Sequence, residues 1–445
     1  MNSYDILISN GHIVTLDEQN RVLLPGAVAV SGGRIEKILG PGDPPPPAKT
    51  VLDAGGGIVM PGLVNCHTHL PMSLFRGLAD DMALDEWLQR VIFPAEAKFV
   101  DPEFVGLGSE LSLAEMLLSG TTCICDGYFH EHHAALTVEK AGIRAVLGQG
   151  VIGFPAPGAP DPARNVEVAE EFVSTWLGKS PLITPSIFCH SPYTCSAETL
   201  ISAKRKALDL GVLFQIHVSE SADEVAQSLE RTGMTPVAYL DSLGVLDSST
   251  LLVHAVHADP TDIEIIAKHS CGVAIATGSH CKLASGIAPL PAFLDLGVPV
   301  GLGTDGSSSN NRLCMFREMD LTAKLHKVHT QDPTSVPART ALALATRCGA
   351  AALGLSGEIG SLAPGMQADL VVLSSDCPNL TPVFDPASAA VYAATGADVR
   401  HVMVAGRLLV LDRRLITLDL PDLLERARVM GRKIRSECDG ISRAC

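Results

Sequence analysis

Aromatic side chains are scarce in this chain, 4% of its 445 residues. Its core therefore has to be aliphatic, which favours Val/Ile/Leu-rich strands covered on both faces, the texture of parallel sheets. Positive charge is also in deficit: 33 Lys and Arg stand against 49 Asp and Glu, a formal net charge of −16. Such a surface repels phosphate backbones and anionic headgroups, so neither nucleic acid nor a membrane is expected as a partner. No uninterrupted apolar run reaches the ~18 residues of a membrane span. The start Met-Asn-Ser-Tyr-Asp has no basic segment followed by an apolar one, so no signal peptide is expected. There are twelve cysteines but no C-x-x-C. In a leaderless chain of this size all twelve are expected to be reduced, and the chain cytoplasmic.

What is present is apolar texture, 47% hydrophobic against 18% charged residues, over a length that calls for two or three domains. Short strand-like runs at 4–9, 12–16, 27–31 and 35–39 are punctuated by Asn-Gly and Gly-Gly turns, and a proline-rich loop follows at 41–47. Runs of the same character return at 369–373, 400–404 and 407–410. The two ends are expected to meet as one small β-sandwich domain, residues 1–58 with 359–445, the latter ending in a helix. Between them, residues 59–358 carry eight apolar runs, at 58–65, 121–125, 144–148, 183–188, 213–218, 251–254, 272–276 and 298–303. Helix-like segments alternate with them, as at 103–118, 165–177, 196–209, 222–230 and 261–268. That alternation predicts a (β/α)8 TIM barrel, in which chemistry sits at the C-terminal ends of the strands.

Ligand-type residues fall at those ends. His67 and His69 follow the first run two residues apart, so on a strand both imidazoles face one side, a pairing suited to an ion such as zinc. His217 ends the fifth run, His254 the sixth, and Asp305 follows the eighth in Gly-Thr-Asp-Gly. Singly, each has a plainer explanation: His254 and His257 as core histidines with satisfied rings, Asp305 as a helix cap. Jointly, four strand ends delivering such residues to one face point to a metal site. Glu220, three residues past His217, can face the same cavity and move protons. His130, His132 and His133 cluster at a predicted helix start and read as a solvated face.

With these motifs in place the chain resembles the amidohydrolase superfamily, in its cytosine/adenosine/triazine aminohydrolase branch. The resemblance spans nearly the whole chain: Pro61-Gly-Leu-Val-Asn-Cys-His67-Thr-His69, His217-Val-Ser-Glu220, Val253-His254, Gly303-Thr-Asp305-Gly306, and Gly357 through Asp369 on the return to the β domain. Within the branch it is most similar to the 5'-methylthioadenosine/S-adenosylhomocysteine deaminases, through Met72–Asp81, Trp87, Pro94-Ala-Glu96, His190–Cys195, Lys282–Pro289 and Asp305–Asn311.

The resemblance implies one divalent ion, zinc or alternatively iron(II), held by His67, His69, His217 and Asp305. It makes His254, Glu220 and Asp305 the acid–base groups, with His254 against the attacking water or substrate and Glu220 as proton shuttle. Glu96 would hold ribose hydroxyls, Trp87 and His190 would line a nucleoside pocket, and Gln149 and Arg164 would lie toward the substrate, Arg164 as carboxylate partner. A small nucleoside-type substrate and a homo-oligomer are also implied. The chain departs from the family pattern at Gln149, His280 and Cys314. A different aminated heterocycle (guanine, pterin, cytosine or a triazine) is the alternative substrate. A two-metal cyclic amide hydrolase is disfavoured, because the fourth run ends in Phe188-Cys189-His190 with no bridging lysine.

Overall fold

The structure, a computed structural model, describes residues 3–438. Eight parallel strands follow one another in sequence order around a barrel: β1 (Leu63–Thr68), β2 (Thr121–Tyr128), β3 (Arg144–Val151), β4 (Ile183–Cys189), β5 (Phe214–Val218), β6 (Thr250–His254), β7 (Gly272–Ile275) and β8 (Val300–Leu302). Each of the eight predicted runs overlaps one of them. The intervening helices include Pro102–Leu118, Asn165–Trp176, Ala197–Leu210, Ala222–Thr232 and Pro260–His269, close to the segments that helical periodicity marks.

Within the barrel, Val64, Cys66, Cys123, Cys125, Val146, Leu251, Val253 and Ala274 form one buried cluster. Cys123 and Cys125 thus share a face of β2, as a period of two requires. Burial pushes the Cys123 thiol up to about 12, which leaves it inert. The ten cysteines with described side chains are free; Cys445 and the side chain of Cys438 lie outside the described residues.

β8 comes back beside β1, where the Asp305 N–H donates to His67 O at 2.9 Å. Glycine is required at 303 for this approach, since a Cβ there would lie 2.8 Å from the His67 nitrogen.

The terminal segments build a second, mixed sheet of nine strands. Its halves join where Ile58–Pro61 pairs in parallel with the first strand, at His12 and Ile13, and antiparallel with Leu370–Leu373. The chain passes from this sheet into the barrel at Gly62, so the apolar run at 58–65 is two strands rather than one. A helix, Leu420–Cys438, ends the described chain and is tied to the barrel by Arg426, which meets Glu110 at 2.7 Å.

The turn expected at Asn10-Gly11 is not a turn. One strand runs from Tyr4 to Val14 and pairs with Val22–Ser31 on both sides of that dipeptide, with register shifts around Gly11. Asn10 takes φ 54°, and a Cβ on Gly11 would lie 2.6 Å from Val59 Cγ2. The dipeptide supplies a β-bulge where a neighbouring strand passes too close for a side chain.

One buried ion pair ties the two sheets together. Arg144 on β3 meets Asp369 through Nε–Oδ2 at 2.8 Å and Nη2–Oδ1 at 3.2 Å, and the Ala405 N–H also donates to Asp369. Asp369 is 2% exposed, so removing its partner strands a buried carboxylate. Arg144→Ala is expected to lower unfolding free energy by about 3–5 kcal/mol. Denaturant unfolding followed by circular dichroism measures this.

Candidate metal centre and pocket

Every ligand-type residue singled out in the sequence reaches the C-terminal mouth of the barrel. His67 comes from β1 and His69 from just beyond it, His217 from β5, His254 from the last position of β6, and Asp305 from the loop after β8. His67 Nε2 and His217 Nε2 face each other at 3.2 Å. Asp305 Oδ1 lies 3.5 Å from both His67 Nε2 and His69 Nε2. His69 Nδ1 bonds to Gly127 O at 2.6 Å, which uses that nitrogen as donor and turns the Nε2 lone pair toward the cluster. His254 and Asp305 hold positive φ, 77° and 64°, a backbone cost met at functional sites as well as in turns.

The electrostatics suit a divalent cation. Burial keeps His67 and His217 below the usual imidazole range, with neighbouring imidazoles adding to the effect at His217. Both rings are therefore neutral and offer lone pairs. Burial alone would raise Asp305, but the His67 hydrogen bond and the surrounding imidazoles hold it well below the usual carboxylate range. Three imidazoles and one carboxylate, clustered within a few ångströms, form a donor set for a borderline divalent ion.

Glu220 lies beside this cluster, its Oε2 3.5 Å from His254 Nε2. Burial pushes it well above the usual range, with the charges of Asp305 and Glu224 adding to the effect. One cavity thus holds a carboxyl kept protonated and a carboxylate kept ionised, an arrangement that separates acid from base.

The cavity above the centre has a volume of about 930 Å³ including its open mouth. Trp87, Glu96, His190, His217, Glu220, His254 and Asp305 all line it. The segment between β1 and Pro102 roofs it with short helices, Leu84–Trp87 and Phe93–Phe99. Burial lifts Glu96 to about 7 against the Tyr128 hydrogen bond, and burial drops His190 to about 3.

Gln149 and Arg164 do not line this cavity. Gln149 accepts from the Glu131 N–H at 3.1 Å and faces a separate recess with His130, His132 and His133. Arg164 is 59% exposed and pairs with Glu167 at 3.0 Å on its own helix turn. Glu171, seven residues along, lies 3.8 Å from the same guanidinium. The three histidines do sit at a helix start (Glu131–Ala141), and His132 accepts from Trp176 Nε1 at 3.1 Å. His257 is satisfied by Ser285 O at 2.6 Å.

Sequence reasoning missed several supporting residues. Asp126 accepts from Thr68 Oγ1 at 2.5 Å and the Leu70 N–H at 2.7 Å, clamping the turn that carries His69. An aspartate inside an otherwise apolar strand was the available signal. Tyr128 donates to Glu96 at 2.6 Å, and its place at the end of β2 marked it. Glu224 accepts from the N–H groups of Ser219 and Glu220 at 2.9 and 2.8 Å; the Ser221-x-x-Glu224 pattern announces such a helix start. Ser279 donates to Asp305 Oδ2 at 2.7 Å, and His280 meets His254.

The fold and this centre define a class, and sequence comparison agrees: residues 58–409 match the amidohydrolase family, to which the chain belongs. It is similar to a 5-methylthioadenosine/S-adenosylhomocysteine deaminase of Syntrophobacter fumaroxidans, 45% identical over 97% of this chain and 98% of that one. A protein of the same name from Aquifex aeolicus is 38% identical over 99% and 100%. Among solved structures, an adenosine deaminase from Xanthomonas campestris with bound zinc is 37% identical and superposes with a TM-score of 0.95 over 98% and 99% of the two chains. No helix among the described residues is long and apolar enough to cross a membrane.

Proposed function

We propose that this chain hydrolyses the exocyclic amine of an adenine nucleoside, 5'-methylthioadenosine, S-adenosylhomocysteine or adenosine, releasing ammonia and the inosine-type product. The observation that carries this reading is geometric: Glu220 and Asp305 stand together against the clustered imidazoles of His67, His69 and His254, under a pocket lined by Trp87 and Glu96. The names of the relatives support the same substrate class.

His67, His69, His217 and Asp305 would hold one zinc ion. When bound, such an ion lowers the pKa of a coordinated water toward ~7 and polarises it for attack. Asp305 takes the proton of the attacking water as its oxygen adds to C6 of the adenine. Glu220 delivers a proton to N1, which makes C6 more electrophilic. His254 donates to the oxygen as charge develops on it. Collapse of the tetrahedral carbon to the C6 carbonyl expels ammonia: Asp305 passes its proton to the leaving amine, and the proton remaining on the added oxygen restores Glu220. Glu96, steadied by Tyr128, accepts from the ribose hydroxyls, while Trp87 and His190 wall the nucleoside.

The test is ammonia release with adenosine, 5'-methylthioadenosine, S-adenosylhomocysteine, guanine and cytosine, read beside the ultraviolet change of adenine-to-hypoxanthine conversion. Turnover of guanine or cytosine alone would overturn the reading. Dialysis against a chelator is expected to abolish turnover, with stoichiometric zinc restoring it and metal analysis returning one ion per chain. Iron(II) restoring more activity than zinc would reassign the ion.

A pH effect follows from Glu96. Its carboxyl, lifted by burial to about 7, passes from mostly neutral to mostly ionised as pH rises through that value. The ionised form is the better acceptor for two hydroxyls. KM is therefore expected to fall as pH rises through about 7, and Glu96→Gln is expected to raise KM and flatten that dependence.

A further inference from the structure

We infer that His280 is a positioning residue that fixes the tautomer of His254, holding its Nε2–H as a donor toward the reacting oxygen. The inference rests on the hydrolase reading of the site. His254 Nδ1 and His280 Nε2 are 3.0 Å apart, and the two residues are 1% and 2% exposed. At that distance only one proton can lie between the two facing nitrogens, so one ring donates and the other accepts.

That leaves two arrangements. If His254 Nδ1 carries the proton and donates to His280, its Nε2 presents a bare lone pair to the cavity. If His280 Nε2 donates instead, His254 Nε2 carries the hydrogen. The groups on the Nε2 side decide between them. Glu220 Oε2 lies 3.5 Å away, and Glu220, His254 and Asp305 place their polar atoms within 4.8 Å of one another. The Asp305 carboxylate on that side favours a donor at Nε2.

His280 is held in place to make this choice. It sits in the helix Thr277–Lys282, its N–H donates to Ala276 O, and its carbonyl accepts from the Ser285 N–H, both at 3.0 Å. The neighbouring Ser279 Oγ reaches Asp305 Oδ2 at 2.7 Å. One short helix thus orients both the base and the oxygen-facing imidazole, and His280 itself does not line the cavity.

The test uses zinc-loaded protein with histidine rings labelled with nitrogen-15. Long-range nitrogen–proton spectra should show His254 protonated at Nε2 in the wild type, with the signal assigned by its loss in His254→Asn. His280→Asp offers only an acceptor and should move the proton to Nδ1. His280→Leu is expected to lower kcat by about 10²-fold, as when an oxyanion donor or a correct tautomer is lost. KM should stay within about threefold and the metal content unchanged. His280→Asn retains an N–H donor and should recover kcat to within about tenfold of wild type. Should His280→Leu fail to fold, the Asp and Asn variants carry the comparison. A wild-type His254 protonated at Nδ1, or Asp and Asn variants with equal kcat, would overturn the assignment. Failure of the deaminase reading would show separately, as wild-type protein that releases no ammonia from any nucleoside.

Discussion

Asp305→Asn is expected to lower kcat by about 10³–10⁴-fold, the largest single effect in the site. Two demands meet on this side chain. Its Oδ1 lies 3.5 Å from His67 and His69, and its Oδ2 accepts from Ser279. An amide is nearly the same size, so packing survives. It cannot take a proton from water, however, and it is a weaker ligand for a cation. Measuring kcat beside metal content separates these losses. A variant with a full complement of ion and near wild-type deamination would sink the role given to Asp305.

Glu220→Gln is expected to cost about 10³-fold in kcat with a small change in KM. Glutamine can still hydrogen bond to a ring nitrogen, so substrate binding survives while proton delivery does not. The sign of the pH effect follows from the raised carboxyl. Burial and the nearby carboxylates favour its protonated form, and that form is the one that donates. Wild-type kcat should therefore fall as pH rises through the pKa of this group, and the Gln variant should lack that limb. An unchanged alkaline limb in Glu220→Gln would assign the limb to another residue.

The barrel was legible because its strands are buried on both faces and helices such as Ala197–Leu210 and Ala222–Thr232 are amphipathic, so these elements carry their own periodicity. The chemical residues were legible for a related reason: His67, His69, His217, His254 and Asp305 stand at strand ends, where an apolar run gives way to a polar group. The positions of Arg164 and Gln149 were not legible, because they depend on which neighbours each side chain meets in three dimensions: Glu167 for Arg164 and the Glu131 N–H for Gln149. Asn10-Gly11 has the composition of a turn, and only the strand passing at Val59 makes it a bulge. His280 could not be paired with His254 by any local pattern, since a helix after β7 brings it there.

The closeness of β1 and β8 has a mechanical consequence. Asn65 and Thr304, hydrogen bonded at 2.8 Å, are 239 residues apart in the chain, and His67 and Asp305 stand on the same seam. An ion held by those two side chains would fasten the first staves of the barrel to the last, like the clasp of a bracelet. Binding only to the closed form, it would add about 2.7 kcal/mol of stability at a hundredfold excess over its Kd. Stripped protein should then open along this line first. Amide hydrogen exchange around Gly303–Gly306 should quicken when the ion is withdrawn, while the β3–β4 pairing on the far side of the ring keeps its protection.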